Sequence, residues 1–345
     1  MDNKNNNNIK SIEPFNSAID KLCDNLYNII CDIPNTIKAQ AQEIRLRVNK
    51  PVAIYCANKM YYITTDKRVV TTIYNGKMLF CTQQDIKNTF EKICEYSVYS
   101  FQNEITNGYI TIKGGHRVGV CGTAIYNDDK LQNVKDISSI NIRIARQIIG
   151  CAYEFLQRVP INSKGVLLCG SPSCGKTTIL RDLARQLSNT YEKKVVVIDE
   201  RCEIGSVYMG ECQNDLGQSD ILDGYKKGTG IIQAIRCMSP DVIICDEVGE
   251  SDDIKAIVQG LNAGVCIIAS IHAGSIQELM QKPQGEMLIN TNAFEHIVIF
   301  KGREQVGEIK EILNIKEIAK NAINRSDNIS NRSNFYKLSN FAKVN

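Results

Sequence analysis

The sequence predicts an α/β protein with a mostly parallel sheet, preceded by a smaller α+β domain. Three observations carry that prediction. From about Gly150 onward, short and continuously apolar runs alternate with helical stretches, the pattern of a parallel sheet covered on both faces. Before Gly150 the runs alternate polar and apolar residues and are joined by short turns, which gives that half antiparallel character. A glycine-rich segment, residues 170–178, joins one apolar run to a helix.

Taken in order, residues 1–12 are Asn-rich and read as a disordered tail. Phe15, Ile19, Leu22, Leu26, Ile29 and Ile30 recur at helical spacing and predict one amphipathic helix from Pro14 to about Cys31. EIRLRV (43–48) alternates as a half-buried strand does. PVAIY (51–55) and MYYIT (60–64) read as a hairpin, and 85–96 as a helix. GYITI (108–112), Gly114-Gly115 and HRVGVCGTAIY (116–126) read as strand, turn and strand. These make an α+β domain over 13–150. The second domain, 151–302, holds VLLC (166–169), a helix at 176–188, VVVID (195–199) and a polar insertion. VIICD (242–246), a helix at 254–261, VCIIAS (265–270) and HIVIF (296–300) follow. Residues 303–345 are rich in Lys, Asn and Ser and read as a partly disordered C-terminal extension.

Composition narrows the function classes. With 41 Lys+Arg against 38 Asp+Glu, the net charge of +3 is too balanced to mark a nucleic-acid binder. The 14 cysteines sit mostly in apolar runs and never as CxxC, and only three histidines are present, so zinc-ligand spacing is missing. Free thiols in that number suit a reducing compartment. The N-terminus is polar, unlike a signal peptide, and no apolar run approaches the roughly 18–20 residues that span a bilayer. A cytoplasmic protein is expected, reaching any membrane through a partner or a surface contact.

GSPSCGKTT satisfies G-x-x-x-x-G-K-[ST] between a strand and a helix. The nucleotide-binding set is Gly170, Ser171, Pro172, Ser173, Cys174, Gly175, Lys176, Thr177 and Thr178. Gly170 and Gly175 let successive N–H groups approach phosphate oxygens closely. Lys176 supplies a charge for the β- and γ-phosphates, and Thr177 a hydroxyl for Mg²⁺. The expected ligands are therefore ATP and Mg²⁺.

PDVIICDE ends an apolar strand in two acids. Asp246 is placed to hold the metal, directly or through water, and Glu247 to polarise the attacking water. IDERCE puts Asp199, Glu200 and Glu203 after another strand, and SIHAGS puts His272 after a third. In an open parallel sheet such groups gather at the carboxyl ends of the strands. Lys176, Glu247, His272 and Glu200 are the catalytic candidates. Thr177, Asp246 and Glu203 are the metal candidates.

These four segments resemble, in this order, the phosphate loop, acidic box, Glu-bearing second motif and histidine box of the secretion-type ATPase superfamily, whose members are RecA-like. Within the acidic box Asp and Glu are exchanged at the first two positions. EIRLRVNKP, GGHRVGVCG, DERCEI, MSPDVIICDEVG and LNAGV resemble more closely a stage III sporulation family of endospore-forming bacteria. That resemblance implies a cytoplasmic ATPase, a homo-oligomer in a hexameric ring, working with membrane-embedded components of a channel between mother cell and forespore. It implies no stable nucleic-acid partner. Two departures stand out. The Ile-Arg-Asp run that follows the superfamily's catalytic Glu is Val248-Gly249-Glu250 here, and the tetracysteine zinc element is missing.

Arg117, Arg143 and Arg146 precede the ATPase domain, and the superfamily implies that arginines there contact phosphate across a subunit boundary. Arg201 and Arg236 are candidates from the ATPase domain itself. Arg45 and Arg47, two apart, share one strand face. Two other functions fit the same motifs: a nucleic-acid-stimulated motor, and a nucleotide-gated scaffold that does not hydrolyse. Glu247 speaks against the scaffold, since a pure switch needs no acid beside the water.

Overall fold

The computed structural model describes residues 12–74, 76–161 and 164–315. They fall into two units: Met1–Arg146 with Ser206–Gln213, and Gln147–Gly205 with Asn214–Asn345. The expected tails at 1–11 and 316–345 lie outside the described residues.

The first unit runs α1 (12–19), α2 (Asp24–Ile30), α3 (Asn35–Gln40), β1 (Ala41–Arg47), β2 (Lys50–Pro51), β3 (Ala53–Cys56), β4 (Lys59–Ile63), β5 (Val69–Val70) and β6 (Phe80–Cys81). It continues through α4 (Gln83–Ile93), α5 (Gln102–Thr106), β7 (Tyr109–Ile112), β8 (His116–Asn127) and β9 (Lys130–Arg143). Seven strands form one sheet in the order β5-β4-β3-β1-β9-β8-β7, and β2 pairs with β6. Ile44, Leu46, Ile140, Ile142 and Val118 point from one sheet face into a core shared with Phe15, Leu22, Leu26 and Ile86. On the opposite face Glu43 and Arg117 both stand beside Arg143 in the strand register, and Arg45 stands beside Asn141.

The single helix expected over 14–31 is two. The chain extends at Cys23 (φ −64°, ψ 154°), whose N–H donates to the buried Thr89 hydroxyl at 3.1 Å. A tertiary hydrogen bond thus overrides an unbroken apolar period. The inserted Ser206–Gln213 segment is held within this unit: the Tyr208 hydroxyl donates to Glu95, and Gln213 accepts the Gly114 N–H at 2.7 Å.

The second unit holds α6 (Tyr153–Arg158), β10 (Gly165–Cys169), α7 (Lys176–Asn189), β11 (Val195–Asp199), β12 (Asp220–Asp223), α8 (Lys227–Met238) and β13 (Val242–Cys245). Then come α9 (Ser251–Asn262), β14 (Cys266–Ile271), α10 (Ile276–Gln281), α11 (Pro283–Asn290), β15 (Phe294–Phe300) and β16 (Ile309–Asn314). The sheet order is β12-β11-β13-β14-β10-β15-β16, parallel except for β16 against β15. Its strands are apolar throughout because both faces are covered. Leu167, Ile198, Ile243 and Ile267 pack with Ile231, Ile257 and Leu288 of α8, α9 and α11. Val166, Leu168, Val197 and Ile244 pack with Phe155, Leu180 and Leu183 of α6 and α7. The strand Ile309–Asn314, read as part of the extension, closes the sheet edge.

Asp182 of α7 is fully buried and accepts the Gly150 and Ala152 amides at 3.0 and 2.8 Å, together with Arg185 and Gln186. Burial opposes its ionisation, yet these donors outweigh burial and hold the carboxyl below its ordinary range. A lowered folded-state value stabilises the fold above the unfolded value near 4, and the gain is lost as pH falls through the folded value. Asp182→Asn should therefore cost about 2 kcal/mol in urea unfolding at neutral pH, with the gap to wild type closing below about pH 4. A pH-independent gap would contradict this account.

The cysteines divide by burial. Burial pushes the thiols of Cys169 and Cys266 up to about 12, and that of Cys245 up as well. Cys121, Cys212 and Cys237 are exposed. Iodoacetamide at neutral pH, read by mass spectrometry, should label those three on the native protein and the buried three only after unfolding.

Candidate active site

The topology decides what meets. β14 lies between β13 and β10, so the residue leaving β14 falls between the acids that leave β13 and the loop that leaves β10. That residue is His272.

The loop is shaped by its glycines. Gly175 caps α7 in the left-handed region (φ +101°), and a Cβ there would press on the Gly307 amide at 2.9 Å. A Cβ on Gly170 would overlap Cys174 Sγ. Neither position has room for a side chain. The β15–β16 turn braces the loop from outside: Gly307 N–H donates to Cys174 O at 2.8 Å and Arg303 Nε to Pro172 O at 3.3 Å.

Lys176 is buried, and its ammonium lies in the loop. It donates to the carbonyls of Gly170 and Ser171 at 2.9 and 3.1 Å and sits 3.2 Å from His272 Nδ1. An ammonium has only donors, so Nδ1 accepts and the ring proton belongs on Nε2. Nε2 stands 2.8 Å from Glu247 Oε1, to which it donates. The other oxygen of Glu247 meets Arg201. Lys176, His272 and Glu247 are thus one hydrogen-bonded chain across three adjacent strand ends.

Thr177 donates its hydroxyl to Asp246 Oδ2 at 2.5 Å. Asp246 Oδ1 takes the Ser270 hydroxyl and the Glu247 N–H, the latter at 3.0 Å. The pair of hard oxygens from Thr177 and Asp246 suits Mg²⁺, which takes few protein ligands and fills its shell with phosphate oxygens and water.

The acidic segment is organised by Asp199. Its carboxylate accepts the Glu203, Ile204 and Gly205 amides at 2.8, 2.9 and 2.8 Å, turning the chain so that Glu203 borders the same small cavity as Asp246 and Glu247. Burial raises the Asp199 carboxyl despite these amides. Glu200 pairs with Lys227, which the sequence reading missed. Its signal was a cation in the first turn of a helix, where the dipole disfavours one.

Of the two candidate arginines in the second unit, Arg201 pairs with Glu247. Arg236 lies nine residues beyond Lys227 on α8, about 13 Å along the axis, at the end that leads into the start of β13. In the first unit, the Arg117 guanidinium stands 4.5 Å from the Tyr109 ring centre, Arg143 lies 3.4 Å from Glu43, and Arg146 donates to Lys38 O and Ala41 O at 2.8 and 3.4 Å. Two larger hollows of about 560 and 540 Å³ exist in the second unit, one beside Lys193 and Asp241, the other between α8 and α9 beside Arg236. Neither touches the loop, and phosphate recognition by backbone amides needs no enclosed cavity.

A family model described as sporulation stage III, protein AA matches residues 19–319. The chain belongs to this sporulation family. As a stage III AA family member it is 35% identical over 305 residues to the stage III sporulation protein AA of Bacillus subtilis (strain 168), covering 86% of this chain and 94% of that one. A more distant likeness, 27% over 161 residues, is to the Arabidopsis thaliana protein SEEDLING PLASTID DEVELOPMENT 1, covering 44% of this chain and 22% of that one. Among solved structures, the Yersinia pseudotuberculosis ATPase DotB matches with a TM-score of 0.51 and 15% identity, over 87% of this chain and 90% of that one. At that identity the likeness speaks for the fold, which is RecA-like with a preceding α+β unit. Among the described residues of this family member, no helix is long and apolar enough to cross a membrane.

Proposed function

We propose that this stage III AA family member is an Mg²⁺-dependent ATPase. The observation that supports it best is the joining of Lys176, His272 and Glu247 beside the Thr177–Asp246 pair. Amides of residues 170–178 hold the phosphates, and Lys176 exchanges its loop carbonyls for β- and γ-phosphate oxygens. Magnesium, when bound, neutralises charge on the phosphates; Thr177 and Asp246 would hold it, with Glu203 at the edge of its shell. Glu247 accepts a hydrogen bond from the attacking water and orients it. His272 links that carboxylate to Lys176, and Glu200, fixed by Lys227, keeps the acidic segment in place. Arg201 contacts phosphate within the chain, and one or more of Arg117, Arg143 and Arg146 do so from a neighbouring copy; Arg236, at the far end of α8, is the weaker candidate.

In this reading the protein is a cytoplasmic hexameric ring, recruited peripherally to membrane-embedded components of a sporulation channel, with hydrolysis driving domain movement. The family membership supports the sporulation setting, and the fold supports the motor. The test pairs phosphate release with particle mass, with and without Mg²⁺-ATP. Metal-dependent turnover by an assembled ring is the expected result. A persistent monomer without turnover would overturn the proposal.

A further inference from the structure

We propose that Ser270 is a positioning residue for the metal-binding and water-orienting acids, an inference that rests on the ATPase reading above. β14 reads CIIASI, and Ser270 is its one hydroxyl, with no exposure to solvent. A hydroxyl in such a place is costly unless partnered. Its partners are all on one neighbouring turn. The hydroxyl donates to Asp246 Oδ1 and accepts the Glu247 N–H at 3.0 Å, while the Ser270 carbonyl accepts the Val248 N–H at 2.9 Å. One residue therefore grips three consecutive ones.

The grip answers two requirements. Glu247 has φ +51°, a left-handed conformation that a side chain of its size adopts only where the surroundings enforce it. The two hydrogen bonds from consecutive amides to Ser270 supply that enforcement. Asp246 needs a fixed rotamer so that Oδ2 faces the Thr177 hydroxyl. A serine hydroxyl has one proton to give, and giving it to Oδ1 leaves Oδ2 turned toward Thr177. Without the hydroxyl, the Asp246 carboxylate loses one of the three hydrogen bonds that fix its rotamer, and the Glu247 amide loses one of its two acceptors.

Ser270→Ala and Ser270→Thr test this, since Thr keeps the hydroxyl and suits a strand. In Ser270→Ala, the Mg²⁺ concentration giving half-maximal activity should rise about tenfold and kcat fall about 10- to 100-fold, with KM for ATP within about threefold. Ser270→Thr should recover most of both at an unchanged melting temperature. The Mg²⁺ dependence of binding to a slowly hydrolysed ATP analogue gives a second readout independent of turnover. A wild type that binds Mg²⁺-nucleotide without hydrolysing it ends the ATPase reading but leaves the shift in Mg²⁺ midpoint as the test of Ser270. A Ser270→Ala protein with the wild-type midpoint, or with losses that only follow its melting temperature, overturns the proposal.

Discussion

Replacing Glu247 with Gln should lower steady-state ATP hydrolysis by about two to four orders of magnitude, the usual worth of a positioned base, while ATP affinity stays within a few-fold. The amide keeps the size of the side chain and a carbonyl oxygen for His272 Nε2–H, so the hydrogen-bonded chain from Lys176 survives. What disappears is the negative oxygen now shared with Arg201. In the proposed ATPase that oxygen orients the attacking water, so the variant should hold ATP and fail to turn it over. Phosphate release gives the rate, and titration with a fluorescent ATP analogue gives the affinity. Turnover at half the wild-type rate would mean that Glu247 does not activate the water.

Lys176→Ala should weaken Mg²⁺-ATP binding about 100-fold and take turnover below detection. Two charge-assisted hydrogen bonds to phosphate, at roughly 1.5 kcal/mol each, correspond to that factor. The change also removes the donor to the carbonyls of Gly170 and Ser171, so the loop loses an internal tie. Isothermal titration with Mg²⁺-ATP reads the affinity directly. Wild-type affinity in this variant would mean that the loop does not grip a triphosphate at all.

The α/β architecture was legible because a sheet covered on both faces writes its strands as unbroken apolar runs, as in VLLC, VVVID and VIIC. The acids at the ends of β11 and β13 were legible because polar residues abruptly follow those runs. Residues held by distant partners were not. The break at Cys23 depends on Thr89, 66 residues away, and no local signal announces it. Ser270 left only a faint trace, one hydroxyl in an apolar strand, and its meaning required knowing that β14 adjoins β13. β16 reads as tail from sequence because Ile309–Asn314 is short and interrupted by the exposed charges Lys310 and Glu311, and its apolar residues count only once β15 lies beside it. For Arg236 the residue type was suggestive, but the direction of α8 decides which end of the sheet it occupies.

The excursion of Ser206–Gln213 into the first unit has a topological consequence. The polypeptide passes between the units at 146–147, again at 205–206 and once more at 213–214. After a single proteolytic cut at the first crossing, the contacts of Ser206–Gln213 with the first unit would still tie the two fragments together. A first unit produced alone, ending at Arg146, would lack Tyr208 and Gln213, and with them one of the partners of Glu95 and the acceptor of the Gly114 N–H. Dissecting the protein into halves therefore calls for grafting that eight-residue excursion back, for instance as an added peptide, rather than for choosing a better boundary.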